Sequence, residues 1–215
     1  MKIRVITVER EYGSGGANIA RKLAARLGWK FWDTELTQEI ARVANVDPRA
    51  AALCDERRDP LLYRLFKVYA RGSYERALPL AESGTFDTDR MVELLHQVIK
   101  DVASRGECVI VGRGSPYILR NRPDAFHVFV YAPVEEKVRR IMSLGKSEKE
   151  AAELVKDVDT ERADFIRHYF GAQWPGRWLY NLMINSKFGD DFAVDRILDH
   201  VAALERLLTL QGVTA

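Results

Sequence analysis

The sequence is poor in the residues that would indicate a disulfide framework or a metal site. It has two cysteines, Cys54 and Cys108, and four histidines among 215 residues, without a Cys-x-x-Cys pair or a cluster of metal-ligand spacing. This usage is typical of reduced thiols in the cytoplasm, and it predicts no protein-borne metal site. No apolar run approaches the roughly 18 residues of a membrane-spanning helix, and the charged first residues lack a signal-peptide pattern. We therefore expect a cytoplasmic protein that does not enter a membrane.

An excess of charge of one sign is also missing. The chain has 33 basic and 31 acidic residues, which gives a net charge of +2. Because the basic and acidic residues nearly balance, the net charge gives no indication of nucleic-acid binding. Hydrophobic residues make up 47% of the chain, enough for one sizeable core, and the chain has neither a low-complexity linker nor an internal repeat. We predict a single domain over residues 1–215.

Short apolar runs of strand length alternate with helical patterns along the chain. The predicted strands are 3–8, 30–33, 108–112, 126–132 and 180–185. Apolar residues recur at helical spacing after the first strand and again over 192–210. Buried strands separated by helices are typical of an α/β fold, a parallel sheet with helices on both faces.

Two long stretches interrupt this alternation. Residues 36–104 and 144–176 contain no convincing strand, and both lead back into strands of the same sheet. In the second stretch, Ser147 and Glu150 have the spacing of a capping box, which predicts that a helix begins there. We interpret both stretches as helical insertions in one domain.

The stretch REYGSGGAN after the first strand is similar to a phosphate loop that has lost its lysine. Glycines let backbone amides approach an anion, and the N-terminus of the following helix favours negative charge. In a loop of the form GxxxxGK[ST], the lysine reaches the β- and γ-phosphates and the hydroxyl binds magnesium. Here Arg10 stands at the first glycine, and Gly15 keeps the second. Gly16 replaces the lysine and Ala17 replaces the hydroxyl residue.

Three interpretations of this stretch are open from its pattern. It can be an anion-binding loop, a tight turn that merely needs glycines, or a dinucleotide-binding turn of the form GxGxxG. The last is supported by Asp33 at the end of the second strand, but Asn18 occupies its third glycine position. For the anion-binding loop, the predicted cofactor-binding residues are Tyr12, Gly13, Ser14, Gly15, Gly16, Ala17 and Asn18.

Longer stretches resemble the cytidylate kinase-like family of phosphate-loop nucleoside monophosphate kinases. They are REYGSGG with IARKLAARLGWKFWD, then CVIVGRGSPYILRNRPDAFHVFVYAPVEEKVRRI, then WLYNLMINS, in the order of the family. The resemblance covers nearly the whole chain. It implies a three-layer fold around a five-stranded parallel sheet in the order 2-3-1-4-5. It further implies that 36–104 is a helical monophosphate-binding insertion and that 144–176 is a lid.

The resemblance also implies which residues bind the nucleoside monophosphate, the acceptor of the phosphoryl group. Arg113 matches the arginine that holds the phosphate of the monophosphate, a role that suits the bidentate guanidinium group. Asp33 and Thr34 match an Asp-Ser pair that meets the same phosphate. Cytidylate kinases have an aspartate directly after the arginine that helps to read cytosine, and Gly114 replaces it here.

Charged residues of the lid form the second set that the resemblance implies. Asp164 and Arg167 keep an Asp-x-x-Arg spacing of lid residues that clamp phosphates and ribose, and Arg162 lies in the same segment. Asp164 is therefore predicted to bind substrate. Together with Arg10 and Arg113, Arg162 and Arg167 complete the predicted catalytic set.

Loss of the loop lysine bears on catalysis, because phosphoryl transfer depends on positioning and on charge neutralisation. Arg10 and Arg21 are the nearest substitutes, and Ser14 or water has to replace the lost magnesium ligand. The resemblance implies ATP and Mg²⁺ as cofactors and nucleoside mono- and triphosphates as partners, and it leaves a homo-oligomer open. It favours an ATP-dependent kinase for a CMP-like monophosphate, with a degenerate phosphate loop. A nucleotide-binding or sensing protein without turnover is the alternative, and a dinucleotide-dependent oxidoreductase is a remote third.

Overall fold

Five parallel strands form the centre of the protein. The computed structural model describes residues 2–33, 35, 36, 39 and 88–210. The strands are β1 (Val5–Arg10), β2 (Lys30–Trp32), β3 (Cys108–Val111), β4 (Ala125–Tyr131) and β5 (Leu182–Asn185). They form one sheet in the order β2-β3-β1-β4-β5, and every pairing is parallel. This confirms the predicted sheet.

The first strand is shifted from its predicted position. It was expected over 3–8, but it begins at Val5 and continues to Arg10. The extension has a clear cause, because β4 offers partners beyond Val8: Glu9 pairs with Phe129 and Arg10 pairs with Val130. Arg10 therefore ends a buried strand, whereas the sequence placed it at the start of the loop.

Helices cover both faces of the sheet. They are α1 (Gly16–Leu27), α2 (Thr88–Arg105), α3 (Ser115–Ile118), α4 (Val134–Met142), α5 (Glu148–Phe170) and α6 (Asp190–Leu210). Alternate residues of a strand point to opposite faces. Ile6 accordingly packs with residues of α1 and α6, and Val5 packs with residues of α2 and α5. The result is the predicted three-layer arrangement.

The segment predicted as a lid is built around α5, which packs against the rest of the domain. Ser147 and Glu150 form the predicted capping box at its start. Ala151, Val155 and Val158 share an apolar cluster with Tyr12 and Ile141. Further along the helix, side chains enter the cluster between the sheet and α2. The first half of α5 thus lies against the loop that follows β1.

Parts of the predicted organisation lie outside the described residues. Of the insertion predicted over 36–104, the structure describes α2 and residues 36 and 39. The assignment of this insertion, and of one domain over 1–215, stays a prediction. Cys54 also lies outside the described part, whereas Cys108 is a free thiol buried in the core. Across the described ranges, no helix has the length and apolar character needed to cross a membrane.

Candidate functional site: a glycine loop at the carboxyl edge of the sheet

The loop between β1 and α1 is held in a fixed conformation by its own residues and by its neighbours. Gly13 and Gly15 have φ values of 76° and 79°, in the left-handed region that favours glycine. Between them, Ser14 is fully buried, and its hydroxyl donates to the carbonyl oxygen of Glu11 at 2.8 Å. The Ser14 carbonyl accepts hydrogen bonds from Ser186 Oγ at 2.6 Å and from Arg140 Nη1 at 2.5 Å. The Ser14 hydroxyl is therefore engaged in shaping the loop.

Several backbone amides of this loop are available to an anion. Within the described part of the chain, the amides of Gly13, Gly15, Gly16, Ala17 and Asn18 donate no hydrogen bond. The last three open α1, where the helix dipole favours negative charge. The amide of Tyr12 differs, because it donates to Asp159 Oδ1 of α5 at 2.7 Å. The geometry is that of an anion cradle at a helix N-terminus.

Helix α4 brings two cations to the loop that the sequence analysis missed. Lys137 is buried, and its Nζ lies 3.0 Å from Glu11 Oε2 and 3.4 Å from Asp159 Oδ2. Arg140 reaches the loop carbonyl of Ser14, and its Nη2 also donates to the Ser186 carbonyl at 3.1 Å. Residues three apart on a helix share a face, so the spacing of Lys137 and Arg140 in VEEKVRRI was the available signal. Both cations lie beside a loop that has no lysine of its own.

Glu9 and Arg10 at the end of β1 meet α5 in a buried charged cluster. Arg10 Nη1 lies 3.6 Å from Glu9 Oε1, and both side chains are almost fully buried. From α5, Arg162 Nη1 donates to the Arg10 carbonyl at 2.8 Å and lies 3.3 Å from Asp159 Oδ1. Burial raises the pKa of Glu9, and the charges of Arg10 and Arg162 oppose this shift. Arg162 is thus a predicted site residue that the structure places beside the loop.

Asp159 links α5 to the loop that follows β1. Its carboxylate accepts from the Tyr12 amide and faces both Lys137 and Arg162. Burial raises the pKa of Asp159, while Arg162, the Tyr12 amide and Lys137 act in the opposite direction. An acid in this position ties α5 to the cradle through one carboxylate.

Arg113 and Asp33 meet at the carboxyl ends of neighbouring strands. Arg113 follows β3, and its side chain donates from Nη2 to the Asp33 carbonyl at 3.2 Å. It is only 5% exposed, and its φ of 57° lies in the left-handed region, between Gly112 and Gly114 that share this conformation. A non-glycine residue in this region is strained by about 1–2 kcal/mol, and such strain is concentrated at functional sites. Thr34, predicted beside Asp33, lies outside the described residues.

The structure does not bring Asp164 and Arg167 into the cluster. They form an ion pair with each other on the surface of α5, and the Arg167 side chain is 73% exposed. The buried residues of α5 include Val158, Arg162 and Phe165, which define the inward face of the helix. Among described residues, no hydrogen bond or ion pair joins Asp164 or Arg167 to the loop. Arg21, the other suggested lysine substitute, lies over the ring of Phe31.

A parallel sheet in this order, with an amide-lined glycine loop between β1 and α1, defines a kinase-type phosphate-loop fold. A model of the cytidylate kinase-like family matches residues 5–187. The chain therefore belongs to the cytidylate kinase-like family. The observed order differs from the 3-2-1-4-5 core of the dinucleotide-binding fold, which removes the support for an oxidoreductase.

One relative is a cytidylate kinase, and two solved structures share the fold. A cytidylate kinase from Methanosarcina mazei is 26% identical over 128 residues, covering 56% of this chain and 70% of the relative. An uncharacterized protein from Eubacterium ventriosum superposes with a TM-score of 0.67 at 22% identity, over 94% of this chain and 99% of that one. A gluconokinase from Sinorhizobium meliloti gives a TM-score of 0.56 at 16% identity, over 98% and 99% of the two chains. The two structural likenesses show the fold.

Proposed function

We propose that the protein is an ATP-dependent kinase for a CMP-like nucleoside monophosphate, with a degenerate phosphate loop. The observation that supports the proposal is that the free loop amides and the buried Arg113 lie at one edge of the sheet. The cradle of unpaired amides follows β1, and the buried, strained Arg113 follows the adjacent β3. Ligands of open α/β sheets bind at this carboxyl edge.

The donor side of the proposed reaction uses the loop and α4. The amides of Gly13 and of Gly15 to Asn18 bind the phosphates of ATP, and the cations of Lys137 and Arg140 neutralise charge beside them. Neither cation occupies the position of the missing lysine in the sequence. Both belong to a helix that packs directly on the loop.

The acceptor side uses Arg113, Asp33 and Thr34. The guanidinium of Arg113 holds the acceptor phosphate, and its bond to the Asp33 carbonyl fixes its direction. Arg162 adds a third cation between the two sides, because it is anchored on the last residue of β1. A clamping role for Asp164 and Arg167 remains part of the proposal for the lid.

The base of the nucleoside monophosphate is recognised by other residues than in the family pattern, because Gly114 replaces the aspartate. A Cβ atom on Gly114 would lie 2.7 Å from the ring of Phe170, so an aspartate does not fit there without displacing that ring. Contacts from other residues must therefore distinguish cytosine from other bases.

The residues present fit ATP more fully than they fit a magnesium ion. In the described part of the chain, no group of three or more His, Cys, Asp or Glu side chains is placed to hold a metal. Mg²⁺ in kinases is bound largely by substrate phosphates and water, with one or two carboxylates, and there it neutralises charge on the phosphates. A Mg²⁺ ion would accordingly enter with the nucleotide.

A nucleotide-binding protein without turnover is the second candidate. One observation favours it: Lys137 already faces the carboxylates of Glu11 and Asp159, so part of its charge is neutralised. The amide cradle would still bind phosphates in such a protein. Binding alone therefore does not distinguish the two candidates, and turnover does.

The proposal is tested by thermal unfolding with nucleoside mono-, di- and triphosphates, each with and without Mg²⁺. A ligand that binds only the native state raises the unfolding midpoint by mass action. We expect ATP and at least one pyrimidine nucleoside monophosphate to raise the midpoint. The nucleoside inosine, which has no phosphate, should leave it unchanged. Absence of a shift with every phosphate-bearing ligand would overturn both candidates.

A further inference from the structure

We infer that Arg10 supplies the positive charge of the missing loop lysine, and that position 16 is glycine because the Arg10 side chain fills the space beside it. The inference rests on the proposed function, since it assigns a residue to phosphate binding in the same loop. It is carried by three observations on the Arg10–Gly16 pair: their contact, the burial of the guanidinium and the positions of both residues in the loop pattern.

The two residues are in close contact across the loop. A Cβ atom on Gly16 would lie 2.5 Å from the Cβ and 2.9 Å from the Cγ of Arg10, and 3.3 Å from the Cβ of Val130. Gly16 is the first residue of α1, and its φ is not in the left-handed region. Its backbone would thus accept any residue. Space, and not backbone conformation, requires glycine at position 16.

The guanidinium of Arg10 is buried, and the described part of the chain offers it few hydrogen-bond acceptors. The residue is 2% exposed, and among the described residues Nε, Nη1 and Nη2 all lack a hydrogen-bond partner. Among the described residues its ion-pair contact is with Glu9, whose Oε1 lies 3.6 Å from Nη1. Leaving N–H groups of a buried charged donor unsatisfied is costly, and an arginine has five of them. An anion bound at the adjacent helix N-terminus would provide the missing acceptors.

The sequence of the loop shows a cation and a glycine in exchanged positions. A phosphate loop has glycine at its first position and lysine directly after its second glycine. In this chain those positions hold Arg10 and Gly16, so the cation and the glycine have changed places. The contact between the two positions links these two departures from the pattern: the glycine leaves room for the side chain of Arg10.

The test is a double-mutant cycle of Arg10→Gly, Gly16→Lys and the double variant. The binding probe is inorganic tripolyphosphate, followed by calorimetry, and the folding probe is the unfolding midpoint. We expect Arg10→Gly to weaken tripolyphosphate binding at least about tenfold while the protein stays folded. Gly16→Lys alone should lower the midpoint, because its side chain collides with Arg10. The double variant, which has the usual glycine and lysine, should regain both midpoint and affinity.

Two further variants keep the test decisive. Arg10→Lys retains the charge and should keep more affinity than Arg10→Gly, and Arg122→Gly removes an arginine that is ion-paired with Asp124 before β4. If the wild type binds tripolyphosphate and Arg10→Gly binds it within twofold, the inference is overturned. It is also overturned if the double variant is no more stable than Gly16→Lys. If the wild type binds neither tripolyphosphate nor ATP, the proposed function is refuted. The unfolding midpoint of the double variant then still tests whether the Arg10 side chain is what requires glycine at position 16.

Discussion

Gly13 lies directly against the backbone of Lys137: a Cβ atom on Gly13 would be 2.9 Å from the Lys137 carbonyl oxygen. Helix α4 is therefore packed onto the loop as closely as a glycine permits. This contact places Lys137 and, one turn later, Arg140 beside the amide cradle. The position of the cations and the shape of the loop depend on the same contact.

Replacing Gly13 with alanine should disturb the protein more than the same change at Gly28. Both glycines have positive φ, 76° and 68°, so each variant carries a left-handed alanine that costs about 1–2 kcal/mol. Only Gly13→Ala also pushes on α4, because a Cβ on Gly28 would meet nothing within 4 Å. Overpacking adds about 1–3 kcal/mol, so the unfolding free energy measured in urea should fall further for Gly13→Ala. Equal losses for the two variants would show that α4 is not packed on the loop.

Arg113→Ala should weaken monophosphate binding by about 1.5–3 kcal/mol, the usual contribution of a hydrogen bond to a charged group. The loss of the hydrogen bond to the Asp33 carbonyl itself costs about 1 kcal/mol of unfolding free energy. Arg122→Ala is the matched control, because it removes an arginine ion-paired with Asp124 ahead of β4. Calorimetry should show monophosphate affinity lost in Arg113→Ala and kept in Arg122→Ala. Unchanged affinity in Arg113→Ala would remove the acceptor site from the proposal.

His127 should make the protein less stable in mild acid. It is buried on β4, its Nδ1 lies 2.7 Å from Thr7 Oγ1, and burial lowers its pKa from 6.5 to about 4. Below pH 6.5, His127 is protonated in the unfolded chain but stays neutral in the native state. The free energy of unfolding therefore falls as the pH drops from 6.5 towards 4. The loss attributable to His127 is about 2 kcal/mol between about pH 7 and pH 5.

The measurement is urea unfolding of wild type and His127→Gln at both pH values. Glutamine does not titrate, so the variant should lose this share of the pH dependence. His200→Gln is the control, because His200 is exposed on α6. A wild-type pH dependence that survives in His127→Gln would contradict the assignment.

The sheet order was predictable from the sequence because the family resemblance covers nearly every strand. The two cations of α4 were not, because Lys137 is more than a hundred residues away from the loop along the chain and a charged helix usually faces solvent. Arg162 and Arg167 illustrate the same difficulty within one helix. They are five residues apart, yet Arg162 is buried against the strand end and Arg167 is exposed. The apolar neighbours Val158 and Phe165 mark the inward face, and helical spacing from them would have separated the two arginines.

Arg10 shows a different limit. Its charge suggested a loop position, whereas backbone pairing with Val130 extends β1 to include it. Pairing with a neighbouring strand is a tertiary effect that local pattern does not report. The contact between Arg10 and Gly16, on which the exchange of cation and glycine depends, becomes visible only in the folded chain.

The most direct test of the central claim is the formation of a nucleoside diphosphate from ATP, Mg²⁺ and each nucleoside monophosphate, quantified by mass spectrometry. We predict that wild type forms ADP and one nucleoside diphosphate in equal amounts, with a rate that falls at least about tenfold in Arg113→Ala, because a misplaced acceptor phosphate loses in-line geometry. Saturating binding of ATP and monophosphate without any diphosphate above the rate seen without protein would contradict the kinase and leave a nucleotide-binding protein.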